Sequence, residues 1–95
     1  MSNAVQYHLY GAERDELNDQ MLYTPLGKTN DVNSESIIKR YQLQMYHGRV
    51  VWAVRSDNPD VWHNIGKRDV RDFGWVHVKE YAVPKELKML HLLNV

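Results

Sequence analysis

The five histidines of this chain are its residues best suited to acid–base chemistry or metal binding. They are dispersed along the sequence, and no two stand four residues apart or at another spacing typical of metal ligands. They are His8, His47, His63, His77 and His91. The histidine pattern therefore predicts no metal site built on a local motif.

The closest approach to a metal-binding constellation lies in segment 57–63. There, Asp57, Asp60 and His63 could converge on one cation. An Asp placed shortly before Pro59 is also the pattern that helix capping alone selects. Capping accounts for the segment, so we predict no metal and no bound cofactor.

Catalytic motifs are equally sparse. The chain lacks a G-x-S-x-G nucleophile elbow, a glycine-rich phosphate loop and a zincin motif. It contains no Cys, which excludes a thiol nucleophile and a disulfide framework. The enzymatic hypothesis that remains is a general-base histidine such as His77, oriented by Asp57 or Asp72. A domain this small rarely encloses a pocket of about 300 Å³ or more, so the sequence favours a protein without catalysis.

Nucleic-acid binding is the first alternative, because cationic and aromatic residues are interleaved between positions 49 and 75. Aromatic faces beside cations are what single strands need for stacking and phosphate contact. The residues concerned are Arg49, Arg55, Lys67, Arg68 and Arg71, with Trp52, Trp62, Phe73 and Trp75. However, four acidic groups offset four basic groups between Arg55 and Asp72, the pattern of a solvated surface.

The sequence favours binding of another protein, with self-association as one form of it. Aromatic and Arg side chains are enriched at interface hot spots. The C-terminal segment 84–95 also carries more apolar residues than one buried helix stripe of about 100° requires, which predicts a homodimer or a hetero-complex. The partner-binding candidates are Trp62, Arg68, Arg71, Trp75, His77, Tyr81, Leu90 and Leu93.

Length and composition indicate one small domain spanning 1–95. Its 95 residues leave room for one hydrophobic core, and its formal net charge of zero provides no global field that would attract nucleic acid or an anionic membrane. The N-terminus lacks the features of a secretory signal, and no run of about 18 apolar residues indicates a membrane span. With the absence of Cys, these features predict a cytoplasmic accessory or regulatory protein.

Hydrophobic periodicity predicts the elements of the first half. Segment 5–10 alternates as a strand that Gly11 ends, and 12–22 has acidic residues early and apolar spacing typical of a helix. The residues from 23 to 33 favour turns and predict a long loop. Segment 34–47 fits either a helix or a strand leading into a hairpin, with the helix favoured.

The second half contains the strongest strand signal. Segment 50–54 is continuously apolar and rich in β-branched residues, which predicts a central strand buried on both faces. A short helix is expected after Pro59, a second strand over 73–83, and a last helix opened by Pro84.

Together these elements predict an α+β domain. We expect a small antiparallel sheet of three or so strands that includes 49–55 and 73–83, joined by 5–10, with two or three helices covering one face. A mostly-β meander is the alternative fold.

Overall fold

The structure, a computed structural model, describes residues 6–30, 50–65 and 76–95. Within these ranges, five antiparallel strands form one sheet in the order β2-β1-β3-β4-β5. The strands are β1 (Tyr7–Asp15), β2 (Gln20–Thr29), β3 (Val50–Arg55), β4 (Val61–Ile65) and β5 (Val76–Lys79). A 3-10 turn (Glu80–Ala82) and helix α1 (Lys85–Asn94) follow.

The predicted α+β class is wrong. The described part of the chain is mostly a five-stranded sheet with one C-terminal helix, which is closer to the mostly-β alternative. The order of the strands departs from a simple meander at one step, because β2 and β3 lie on opposite sides of β1. Strand β1 is therefore an interior strand, paired along one edge with β2 and along the other with β3.

The helix predicted over 12–22 is instead a β-hairpin. Strand β1 continues through Gly11 to Asp15, and β2 begins at Gln20. The side chain of Asp15 organises the turn by accepting hydrogen bonds from the Leu17 amide at 3.1 Å and from Asn18 Nδ2 at 2.8 Å. Asp thus serves as a turn former here, a role that competes with its role early in a helix.

The segment predicted as a loop after residue 22 is strand β2, one of the two outer strands of the described sheet. Pro25 has no backbone N–H to donate to a neighbouring strand, and an outer strand tolerates proline for this reason. The register with β1 shifts between Leu9 and Tyr10, opposite Gly27 and Pro25, and Gly27 has a φ of 114°. Pro25 and Gly27, whose residue types favour a loop, are accommodated in the strand by this β-bulge.

The prediction that β3 is a buried central strand is confirmed. Four consecutive residues, 51–54, are buried, and β3 pairs with β1 on one side and with β4 on the other. Burial on both faces explains why the segment carries no alternating polar positions.

The short helix predicted after Pro59 is wrong, because residues 61–65 form strand β4. The turn that precedes it is closed by hydrogen bonds from the Val61 amide to the Asn58 carbonyl at 3.0 Å and from the Asp60 amide to Asn58 Oδ1 at 3.2 Å. Asn-Pro-Asp sequences favour a tight turn as readily as a capped helix start.

The C-terminal predictions are confirmed in part. The helix that follows Pro84 is present, and the described part of the predicted 73–83 strand is β5, which ends at Lys79 before the 3-10 turn. The uncertain segment 34–47 and the start of the 73–83 strand lie outside the described residues. Within the described ranges, no helix has the length and apolar character needed to span a membrane.

Buried residues occupy both faces of the sheet. On one face, Leu9, Val51, Ala53 and Ile65 form a cluster with Tyr7 and Leu26 packed against it. On the other face, which we call the aromatic face, helix α1 packs on a larger cluster that includes three aromatic residues. That cluster contains Tyr10, Ala12, Trp52, Val54, Trp62, Val83 and Leu87. The aromatic face is the one that positions the candidate site.

Replacement of Trp62 tests the importance of the aromatic cluster. Its side chain is 1% exposed, so Trp62→Ala should lower the free energy of unfolding by about 3–5 kcal/mol through loss of burial and creation of a cavity. Leu17→Ala is the control, because Leu17 is 96% exposed and its replacement should change stability by less than about 0.5 kcal/mol. Urea unfolding measures both. Equal stability of the Trp62 variant and the native protein would contradict this placement.

Candidate functional site

Helix α1 begins after Pro84 and lays one stripe of side chains on the aromatic face of the sheet. Leu87 and His91, one helical turn apart, are buried there, and Leu90 is half-buried against the same cluster. The ring of His91 meets three rings of the sheet edge to face. Its centroid lies 5.2 Å from that of His8, 5.6 Å from that of Tyr10 and 5.5 Å from that of Trp62.

A buried hydrogen bond joins helix α1 to strand β1. The hydroxyl of Tyr10 and Nδ1 of His91 are 2.6 Å apart, and Asn94 Nδ2 donates to the Tyr10 hydroxyl at 3.4 Å. Because the hydroxyl accepts from Asn94, its own proton is available for Nδ1 of His91. We assign His91 on this basis as the tautomer that carries its proton on Nε2.

Burial keeps this pair neutral near pH 7. It raises the pKa of Tyr10, and it lowers the pKa of His91 with a further contribution from His8. The partner of His91 at Nδ1 is a phenol, whereas a general-base histidine is usually oriented by a carboxylate. The geometry therefore fits a structural clamp between helix and sheet better than a catalytic dyad.

His8, on the same face, has a buried ring nitrogen without a hydrogen bond to any described residue. It is 6% exposed, and its Nδ1 has no hydrogen-bond partner within the described part of the chain. Burial is the main cause that lowers its pKa, and the charge of Lys28 lowers it further. Two buried imidazoles thus stand against each other with both pKa values below the ordinary range.

A cleft opens where α1 meets the β3–β4 turn. It has a volume of about 140 Å³ and is lined by Pro59, Asp60, Trp62, Glu80, Lys88, His91 and Leu92. Lys88 Nζ binds Glu80 Oε1 at 2.9 Å, and Trp62 Nε1 donates to the Pro59 carbonyl at 2.9 Å. Small-molecule sites usually occupy about 300–1,000 Å³, so this cleft has the size for a single side chain of a partner.

The outer side of α1 is apolar as well. We define the outer apolar surface as five exposed side chains on α1, on the 3-10 turn before it and at the residue that follows it. They are Tyr81 (78% exposed), Met89 (58%), Leu92 (71%), Leu93 (84%) and Val95 (70%). Leu92 also lines the cleft, so the cleft and this surface are continuous.

The structure separates the partner-binding candidates. Trp62 is buried, Leu90 is half-buried, and His77, Tyr81 and Leu93 are exposed. Tyr81 and Leu93 belong to the outer apolar surface, whereas His77 lies on β5. Arg68, Arg71 and Trp75 lie outside the described residues.

The contacts of Asp57 and of the histidines bear on the metal-site and general-base hypotheses. Asp57 binds Arg55 through two hydrogen bonds of 2.9 and 2.8 Å, and no group of three or more potential metal ligands occurs in the ranges that the structure describes. Instead, His63 lies directly opposite His77 on β5. Sequence analysis missed this pair, because its only signal is the register between two strands that are separate in sequence.

Comparison of the chain with protein-family models, curated proteins and solved structures gave no match.

The buried histidines predict a pH dependence of stability. Their lowered pKa values mean that, as pH falls through about 6.5, the unfolded state binds protons before the folded state does. The free energy of unfolding should therefore be highest above this pH and should decrease as pH falls below it. His8→Leu removes one of the histidines whose pKa is lowered, so the decrease should be smaller in this variant.

Urea unfolding across this pH range measures the effect. The difference between variant and native protein at a pH where histidines are neutral corrects for the change in packing. An identical pH dependence in the two proteins would contradict the buried, neutral state of His8.

Proposed function

We propose that this protein acts by binding another protein through the outer apolar surface of α1, and that the occupant is a second copy of the chain. The observation that carries the proposal is the exposure of large apolar side chains on the helix face that points away from the sheet. Contiguous exposed apolar patches on soluble domains commonly mark interaction sites.

The width of the apolar arc supports docking against one further element. At about 100° per residue, Leu92, Met89 and Leu93 span roughly 100° of the helix circumference. That is the width a helix typically buries against one neighbour. Since the inner stripe already buries Leu87 and His91 on the sheet, α1 carries a second stripe with no described element over it.

The exposed area suits a small dimer. Given their exposed fractions, the five side chains present on the order of 600 Å² per copy, so a two-fold interface would bury about 1,200 Å², the lower end of specific interfaces. A second copy supplies an identical apolar surface, so the same patch of both chains can pack together in a two-fold symmetric dimer.

Charge also favours self-association. The formal net charge of the chain is zero, so two copies do not repel each other. Lys85 and Glu86, both exposed near the start of α1, contribute one charge of each sign beside the outer surface. The border of the surface is therefore neutral and compatible with its own copy.

The edges of the described sheet are poorer docking sites. Outer strand β2 carries Pro25 and the Gly27 bulge, and β5 at the other edge of the described sheet ends with Lys79. Proline, bulges, lysines and short strands all impede the addition of another strand. This supports the helix face over extension of the sheet.

The alternatives receive less support from the described residues. Trp52 and Trp62 are buried, so their rings offer no stacking platform for bases, and the guanidinium of Arg55 is bound by Asp57. The Tyr10 partner of His91 and the small cleft give little support for an enzyme with a histidine base. Protein binding remains the better proposal.

Sedimentation equilibrium from low to high micromolar concentration tests the proposal. The native chain should populate a dimer, and Leu92→Asp or Leu93→Asp should weaken its association at least tenfold, because a charge would be buried in an apolar interface. Both positions are exposed, so the variants should fold as the native chain does.

Leu17→Asp is the matched control. Leu17 is 96% exposed in the β1–β2 turn, away from the helix, so its replacement should leave association unchanged. A strict monomer at high micromolar concentration, or equal effects of the Leu17 and Leu93 variants, would contradict self-association through α1.

A further inference from the structure

A pair of histidines faces each other on the side of the sheet opposite α1. His63 on β4 and His77 on β5 are directly opposite partners in the antiparallel register. His63 is also opposite Ala53, a member of the buried cluster on that face. The pair therefore lies apart from the outer apolar surface and does not depend on the proposed function.

The spacing of the two rings fits a shared metal ion. Their centroids are 5.5 Å apart, with an angle of 61° between the ring planes. A zinc–nitrogen bond of about 2.0–2.1 Å places an imidazole centroid about 3.2 Å from the ion, so two imidazoles at tetrahedral angles have centroids about 5 Å apart. The observed separation of the rings differs from this value by about 0.5 Å.

The positive charge of Arg55 acts on His63. Arg55 would repel a dication, but its guanidinium is held by the Asp57 carboxylate, which offsets the charge. The ring of Tyr7 contacts His63 edge to face at 6.0 Å and limits its movement on the other side.

We propose that His63 and His77 form a two-histidine site for a divalent transition-metal ion of the zinc or copper type. Imidazole nitrogen is a preferred ligand of these ions. Two protein ligands leave the remaining coordination positions to water or to a further ligand, so the site binds exchangeable metal rather than a permanently held structural ion.

Isothermal titration calorimetry with zinc chloride, in a buffer that does not bind metal, tests the site on the full chain. The native protein should bind one zinc ion at this pair, and His77→Ala should weaken binding at least about tenfold, because even loss of an outer-shell partner typically costs 10–100-fold. His77 is exposed, so this variant should keep the native circular dichroism spectrum.

A swap variant provides the matched control. His77→Lys combined with Lys79→His keeps the amino-acid composition and leaves the imidazole on the same face of β5. The imidazole then lies opposite Val61, in a diagonal position about 7–8 Å from His63. We expect this variant to bind zinc as weakly as His77→Ala. Absence of zinc binding by the native chain, or equal affinity of the native chain and the swap variant, would overturn the proposal.

Discussion

The structure depends on how α1 is fixed to the aromatic face of the sheet. Leu87 and His91 pack in the cluster that contains Tyr10 and Trp62, and the Tyr10–His91 hydrogen bond sets the rotation of the helix about its axis. Because the polar atoms of this pair are buried, leaving either one unpaired would cost about 1–3 kcal/mol. One rotation of the helix is therefore strongly preferred.

That rotation decides which residues face outward. With Leu87 and His91 on the sheet, Leu92 and Leu93 must point away from it, since successive helical residues are about 100° apart. The same contact that stabilises the small core thus exposes an apolar arc. A chain of this length would gain stability by covering such an arc, and in the proposed dimer a second copy provides the cover.

Sequence patterns correctly predicted the elements whose residues favour only one type of secondary structure. Strand β3 followed from an unbroken run of apolar and β-branched residues, and α1 followed from Pro84 and its leucines. The hairpin around Asp15 and strand β4 were missed because Asp, Asn and Pro favour tight turns and helix starts for related physical reasons. Local sequence does not distinguish the two; pairing with β1 and β3 does, and that pairing is long-range.

The site was predictable to a similar extent. The surplus of apolar residues in 84–95 indicated a second contact surface, but the sequence did not reveal that Leu90 turns inward while Leu93 turns outward. That assignment requires the Tyr10–His91 contact, which joins residues 81 positions apart. The facing of His63 and His77 likewise results from strand register, which no spacing in the sequence specifies.

A dilution series followed by two-dimensional ¹H–¹⁵N NMR tests the central claim, that α1 is fixed on its inner side and self-associates on its outer side. Amide signals of Met89, Leu92 and Leu93 should shift with protein concentration, whereas those of Tyr10 and Leu17 should stay unchanged. Concentration-independent spectra, or shifts concentrated along β2, would contradict the account.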